Sequence, residues 1–153
     1  LYAEGARAAA DAADLLARAG GTPGPLAGIA VSIKDLFDVA GETTLAGSVA
    51  LRAAPPAAAD AAIVRRLRAA GAIVIGKTNM TEFAFSGLGL NPHYGTPASP
   101  WDRKSRRIPG GSSSGAGVSV ADGMALAAIG TDGGGSVRIP AAFNGVVGFK
   151  PTA

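Results

Sequence analysis

Two glycine-rich runs constrain this chain more than any other feature: Gly110-Gly-Ser-Ser-Ser-Gly-Ala-Gly117 and Gly130-Thr-Asp-Gly-Gly-Gly-Ser-Val-Arg-Ile-Pro140. The chain's 23 glycines cluster instead of repeating at a fixed period. That distribution calls for tight loops around a packed site and excludes a collagen-like or linker architecture. Glycine lacks a Cβ and reaches φ > 0, so successive amide N–H groups can converge on one point. Ser112 and Ser136 each end a run of glycines. A hydroxyl in such a place is a candidate nucleophile beside an anion hole.

Composition sets the frame for these loops. With 153 residues, 48% of them hydrophobic and 16% charged, the chain can bury one core and is not of the disordered type. A net charge of +3 invites a nucleic-acid reading. The basic patches are Arg65-Arg66-Leu-Arg68 and Arg103-Lys-Ser-Arg-Arg107. Only Trp101 stands near the second, which gives no stacking platform, so both are expected to be solvated surface and no nucleic acid is expected to bind directly. No apolar run is long enough to span a bilayer, and no membrane partner is expected. The absence of cysteine fits a reducing compartment, with a cytoplasmic location expected, and removes thiol chemistry. With His93 as the only histidine, no metal site is expected.

Apolar periodicity predicts the elements. Residues 2–18 read as a helix with Ala12, Leu15, Leu16 and Ala19 on one face, stopped by Gly20-Gly21. A strand is predicted over 28–33, a helix over 58–70 capped by Gly71, and a buried strand at Ala72-Ile-Val-Ile75. Residues 91–111 read mainly as loop. A glycine-rich helix follows over 113–122, then a strand over 125–129, a short helix with Pro140 in its first turn, and a closing strand over 146–149. This alternation predicts an α/β fold, a mixed, partly parallel sheet flanked by helices.

Three local motifs compete for the chemistry. Gly71-Ala-Ile-Val-Ile-Gly-Lys-Thr78 satisfies the phosphate-loop pattern, but its four middle residues are the strand itself and cannot curl around a phosphate. Gly111-Ser-Ser-Ser-Gly115 matches a nucleophile elbow centred on Ser113. An elbow needs a strand before it and a histidine after it; Arg106-Arg-Ile-Pro-Gly110 is a poor strand, and His93 comes earlier in a proline-flanked loop. Lysine is then the natural base for a serine nucleophile. Lys34 follows the apolar Val31-Ser-Ile33, which can carry it into the interior or leave it at the surface. Strand alternation turns Asp35 to the opposite side, away from Lys34. To act as a base Lys34 must be neutral, and bringing its pKa from about 10.4 to near 7 disfavours the charge by roughly 4 kcal/mol.

Several longer segments, taken together, resemble one family. Gly28-Ile-Ala-Val-Ser-Ile-Lys-Asp35, Gly76-Lys-Thr-Asn79, Pro109-Gly-Gly-Ser-Ser-Ser-Gly115, Gly130-Thr-Asp-Gly-Gly-Gly-Ser-Val-Arg-Ile-Pro-Ala141 and Gly145-Val-Val-Gly-Phe-Lys-Pro-Thr152 are similar, in order and spacing, to the amidase signature family. The resemblance implies the family's fold and a Ser–cis-Ser–Lys triad. Ser136 is then the acyl nucleophile, Ser112 the proton relay entered through a cis bond from Gly111, and Lys34 the general base. It implies an oxyanion hole from the amides of Gly133, Gly134, Gly135 and Ser136. Ser113 would neighbour the site, with Asp132 and Arg138 as an ion pair bracing the loop, and Phe85 and Ser86 would border the substrate channel. Lys77 is expected to be structural.

The activity so implied is hydrolysis of a small-molecule carboxamide without a cofactor, in a protein that can form a homo-oligomer. Family domains are longer, so residues 1–153 are expected to be the N-terminal part of a single domain truncated at its C-terminus. Gly133 departs from the bulkier residue that relatives often carry. Two other readings stand beside the hydrolase: the amidase subunit of a glutamine-dependent tRNA amidotransferase, and a non-catalytic anion- or nucleotide-binding module built on the glycine loops.

Overall fold

The computed structural model describes residues 1–152. Helices α1 (Ala3–Arg18), α2 (Ala62–Ala69), α3 (Ser114–Ala121) and α4 (Arg138–Asn144) accompany strands β1 (Ala30–Lys34), β2 (Ile73–Thr78) and β3 (Ala127–Ile129). The strands form one parallel sheet in the order β2-β1-β3. The central strand β1 is thus paired on both edges, and its side chains are buried from Val31 to Lys34.

Strand alternation sorts β1 into two faces. Val31 and Ile33 point into a core shared with Val39, Val64, Ala72 and Val74, against which Leu26, Phe37, Ile63 and Leu67 also pack. Ser32 faces the other way, and its hydroxyl is 2.9 Å from that of Ser119 on α3. Lys34, two residues further on, is directed to the same α3 side. An apolar layer beneath the sheet and a helix above it thus give the two-sided burial typical of parallel sheets.

Small side chains let α3 lie directly on the sheet. Its residues from Ser114 to Ser119 are all buried. A Cβ on Gly115 would stand 2.7 Å from the backbone nitrogen of Asn79, so only glycine permits this approach to the end of β2.

Most expected elements are present within a few residues of their predicted ends. β2 runs through Gly76, Lys77 and Thr78, so the phosphate-loop match is extended strand for most of its length. The predicted basic patches are surface, with Arg68, Arg103 and Arg107 paired to Asp60, Asp122 and Asp102. Pro140 is the third residue of α4, where a missing N–H is harmless.

One expectation fails. Val146–Phe149 is not a strand: it pairs with no other strand, and Val147 and Phe149 are exposed. A continuous apolar run does not by itself supply the neighbouring edge that a strand requires. Helix α1 forms as expected, and its apolar stripe lies outside the buried core. Leu15 and Leu16 stay exposed, and the alanines opposite Gly24 and Ala72 leave a groove of about 350 Å³ because methyl groups are too short to close it.

Candidate active site

β1 delivers Lys34 to the interior at its C-terminal end, the end of a parallel sheet where ligands usually bind. The side chain is 0% exposed. Its Nζ stands 2.7 Å from Ser112 Oγ and 2.7 Å from Thr131 Oγ1. Burial pushes the Lys34 pKa down from 10.5 to about 8, while the Asp132 carboxylate acts in the opposite direction. Desolvation penalises the ammonium, so a far larger share of the amine is neutral and able to accept a proton than in an ordinary lysine. Most of it is neutral above about pH 8.

Ser112 is fully buried and lies just before Ser113, the N-cap of α3. The Gly111–Ser112 peptide is cis. Its loop is fixed at both sides: Gly111 N–H donates to Gly87 O at 2.8 Å, and Thr81 N–H donates to Ser112 O at 3.1 Å. Ser113 stitches this loop to the second glycine run. Its N–H donates to Ser136 O at 3.2 Å, and its hydroxyl lies 3.4 Å from both the amide nitrogen and the carbonyl oxygen of Thr131. A Cβ on Gly130 would come within 2.6 Å of Ser113 Oγ, so this crossing point excludes any larger residue.

The second run is organised around one carboxylate. Asp132 is 1% exposed and pairs with Arg138 at 2.9 Å. Oδ1 also accepts from Gly135 N–H at 2.7 Å, and Oδ2 from the N–H groups of Val137 and Arg138 at 3.1 and 3.2 Å. The Arg138 guanidinium, reinforced by these amides, holds the Asp132 carboxyl well below the usual carboxylate range. Gly135 reaches φ +128, a conformation that side chains rarely tolerate.

The Gly135 N–H is therefore committed to Asp132. Among the described residues, the amides of Gly133, Gly134 and Ser136 have no acceptor. Gly133 and Gly134 are exposed, and a Cβ on either would meet nothing within 4 Å. Ser136 is half-buried at the end of this loop. Its hydroxyl makes no hydrogen bond among the described residues, so Lys34 and Ser112 are joined directly while Ser136 reaches them only through backbone contacts to Ser113.

The other expected residues are separate from this centre. Phe85 is 93% exposed, and Ser86 Oγ accepts from Leu88 N–H within the loop that Gly87 ties to Gly111. Lys77 pairs with Asp35 at 2.7 Å and donates to Thr44 Oγ1 at 3.1 Å, on the side of β1 away from Lys34. His93 pairs with Glu82 in the surface loop. The residue that sequence reasoning passed over is Thr131. The parallel register supplies a signal for it: Ile33 pairs with Ile129, so the residues just past β3 emerge beside Lys34.

A buried lysine poised beside a serine, next to a glycine loop with free amides and a second serine, is an arrangement suited to acyl transfer in an α/β scaffold. The Amidase family matches residues 1–153, and the chain belongs to that family. It is 52% identical over 149 residues to 2-amino-5-chloromuconic acid deaminase of Comamonas testosteroni, covering 96% of this chain and 32% of that protein. It is 51% identical over 150 residues to a glutamyl-tRNA(Gln) amidotransferase subunit of Anaeromyxobacter dehalogenans, covering 98% and 30%. Among solved structures, native peptide amidase from Stenotrophomonas maltophilia superposes with a TM-score of 0.83 at 46% identity, over 96% of this chain and 30% of that one. The chain thus spans about a third of the length of the curated relatives it matches. No helix among the described residues is long and apolar enough to cross a membrane.

Proposed function

We propose that this chain carries the acyl-transfer centre of an amidohydrolase acting on a small-molecule carboxamide. The observation that carries this reading is the fully buried Lys34 amine at 2.7 Å from the Ser112 hydroxyl, with its pKa lowered by burial to about 8. In the proposed reaction Ser136 Oγ attacks the amide carbonyl carbon. Its proton passes to Ser112 Oγ as the Ser112 proton passes to neutral Lys34. The carbonyl oxygen becomes an oxyanion facing the free amides of Gly133, Gly134 and Ser136, each donor worth about 3 kcal/mol in comparable sites.

Collapse of that intermediate breaks the C–N bond. Lys34 returns its proton through Ser112 to the leaving nitrogen, and an ester to Ser136 remains. Water then adds to the ester, giving its proton by the same route to Lys34. Expulsion of Ser136 releases the acid, and the serine recovers its proton. In this scheme Asp132 aims the glycine loop rather than exchanging protons, since Arg138 keeps it ionised. In this reading Phe85 and Ser86, on the loop joined to Gly111, would border the channel through which the amide enters.

The test is release of ammonia or amine from a panel of aliphatic and aromatic carboxamides by the full-length protein, with and without Lys34→Met. Turnover that vanishes in the variant supports the scheme; undiminished turnover removes lysine from it. A second reading draws on the relatives named as glutamyl-tRNA(Gln) amidotransferase subunits, which reach 51% and 50% identity. There the same centre would hydrolyse glutamine and pass ammonia to a partner protein. Glutamine hydrolysis that requires co-purified partners would favour that role.

A further inference from the structure

We propose that Thr131 is the positioning residue that aims the Lys34 lone pair at Ser112. The inference rests on the reading of Lys34 as the base, and it concerns a residue outside the proposed triad. A neutral lysine amine has two N–H bonds and one lone pair on a freely rotating terminus. Only when the lone pair faces Ser112 can it receive that proton. Nζ has two oxygen partners, Ser112 Oγ and Thr131 Oγ1, both at 2.7 Å. When Thr131 Oγ1 accepts an N–H, rotation about the terminal bond is restricted and the lone pair can be turned to Ser112.

The position of Thr131 is itself well determined. It follows β3, whose pairing with β1 sets Ile129 beside Ile33. Its amide nitrogen and carbonyl oxygen both approach the Ser113 hydroxyl. The Thr131 side chain therefore belongs to the same framework that holds the Ser112–Ser113 loop.

The charged groups around the amine have other partners. Asp35, just past the end of β1, pairs with Lys77 of β2, and Asp132 of the second glycine run pairs with Arg138 of α4. The loop entering α3 and the helix's first residue present Ser112, Ser113 and Ser114, none of them ionisable in the working range. An oxygen that accepts from the amine also favours its ammonium form, so removing it should lower the pKa of Lys34 further.

The test compares the pH dependence of kcat/KM for the wild type, Thr131→Val and Thr131→Ser in the full-length protein. Thr131→Val should lose about tenfold or more from the alkaline plateau, in the range of a lost acid–base alignment. Its acid limb should also move to lower pH. Thr131→Ser should restore both the plateau and the limb. A valine variant with the wild-type profile, a plateau loss with an unmoved limb, or a serine variant as impaired as valine would each overturn the proposal. If Thr131→Val does not fold, Thr131→Ala removes the same oxygen without adding bulk and is read by the same criteria. Failure of the underlying reading looks different: the wild type itself would lack the acid limb, or Lys34→Met would keep turnover.

Discussion

The protonation of Lys34 gives the sharpest quantitative expectation. With its pKa near 8, about 91% of the amine is neutral at pH 9, about 9% at pH 7 and about 1% at pH 6. If only the neutral form accepts the proton, kcat/KM should fall about tenfold from pH 9 to pH 7 and about ninetyfold from pH 9 to pH 6. The same shift affects stability. The folded pKa lies below the unfolded value of 10.5, so between about 8 and 10.5 the unfolded chain binds more protons and stability rises with pH. Below pH 8 the buried amine costs up to about 3 kcal/mol relative to an unperturbed lysine. Lys34→Met should therefore abolish turnover, and its Tm relative to the wild type should be higher at pH 7 than at pH 9.5. This pH dependence comes on top of a pH-independent loss of the hydrogen bonds to Ser112 and Thr131. Steady-state rates from pH 6 to 9.5 and thermal melts at matched pH check both arms. A flat rate profile across that range, or a Tm difference between Lys34→Met and the wild type that does not change with pH, would show that a desolvated amine is not the base.

Other perturbations separate the site from its supports. Asp132→Ala leaves the Gly135, Val137 and Arg138 amides and the Arg138 guanidinium without their acceptor, and should cost about 3 kcal/mol or more in a denaturant melt. Because the Asp132 pKa is depressed, its contribution is present above about pH 4 and is lost as the pH falls through its lowered folded value. Gly115→Ala should destabilise by about 1–3 kcal/mol, as its Cβ would meet the Asn79 backbone, whereas Gly133→Ala should be tolerated in the same melts. Lys77→Met should lower stability by about 1–3 kcal/mol by leaving Asp35 without its ion-pair partner, yet leave the acid limb of kcat/KM unmoved.

The legible parts of this protein were those written in local periodicity. The apolar runs around Val31 and Val74 become the two central strands, and the glycine-rich helix forms where small residues permit close packing on the sheet. Alternation along β1 is enough to separate Lys34 from Asp35, and the structure pairs Asp35 with Lys77 instead. What stayed hidden depends on partners from distant sequence. Burial of Lys34 requires α3 and the residues after β3 to cover it, and the bond to Thr131 spans 97 positions. The commitment of Gly135 to Asp132 was also invisible, because a run of glycines states freedom and not direction. Residues 146–149 failed for the converse reason: their apolar character is plain, but nothing in it specifies a covering surface.

Ser136 as the acyl nucleophile, activated through Ser112 by Lys34, is tested most directly by intact-mass and peptide-mass measurement after reaction of the full-length protein with a fluorophosphonate. The adduct should form on Ser136, be absent in Ser136→Ala, and form far more slowly in Lys34→Met and Ser112→Ala. An adduct that persists in Ser136→Ala, or that maps to Ser113 in the wild type, would contradict that assignment.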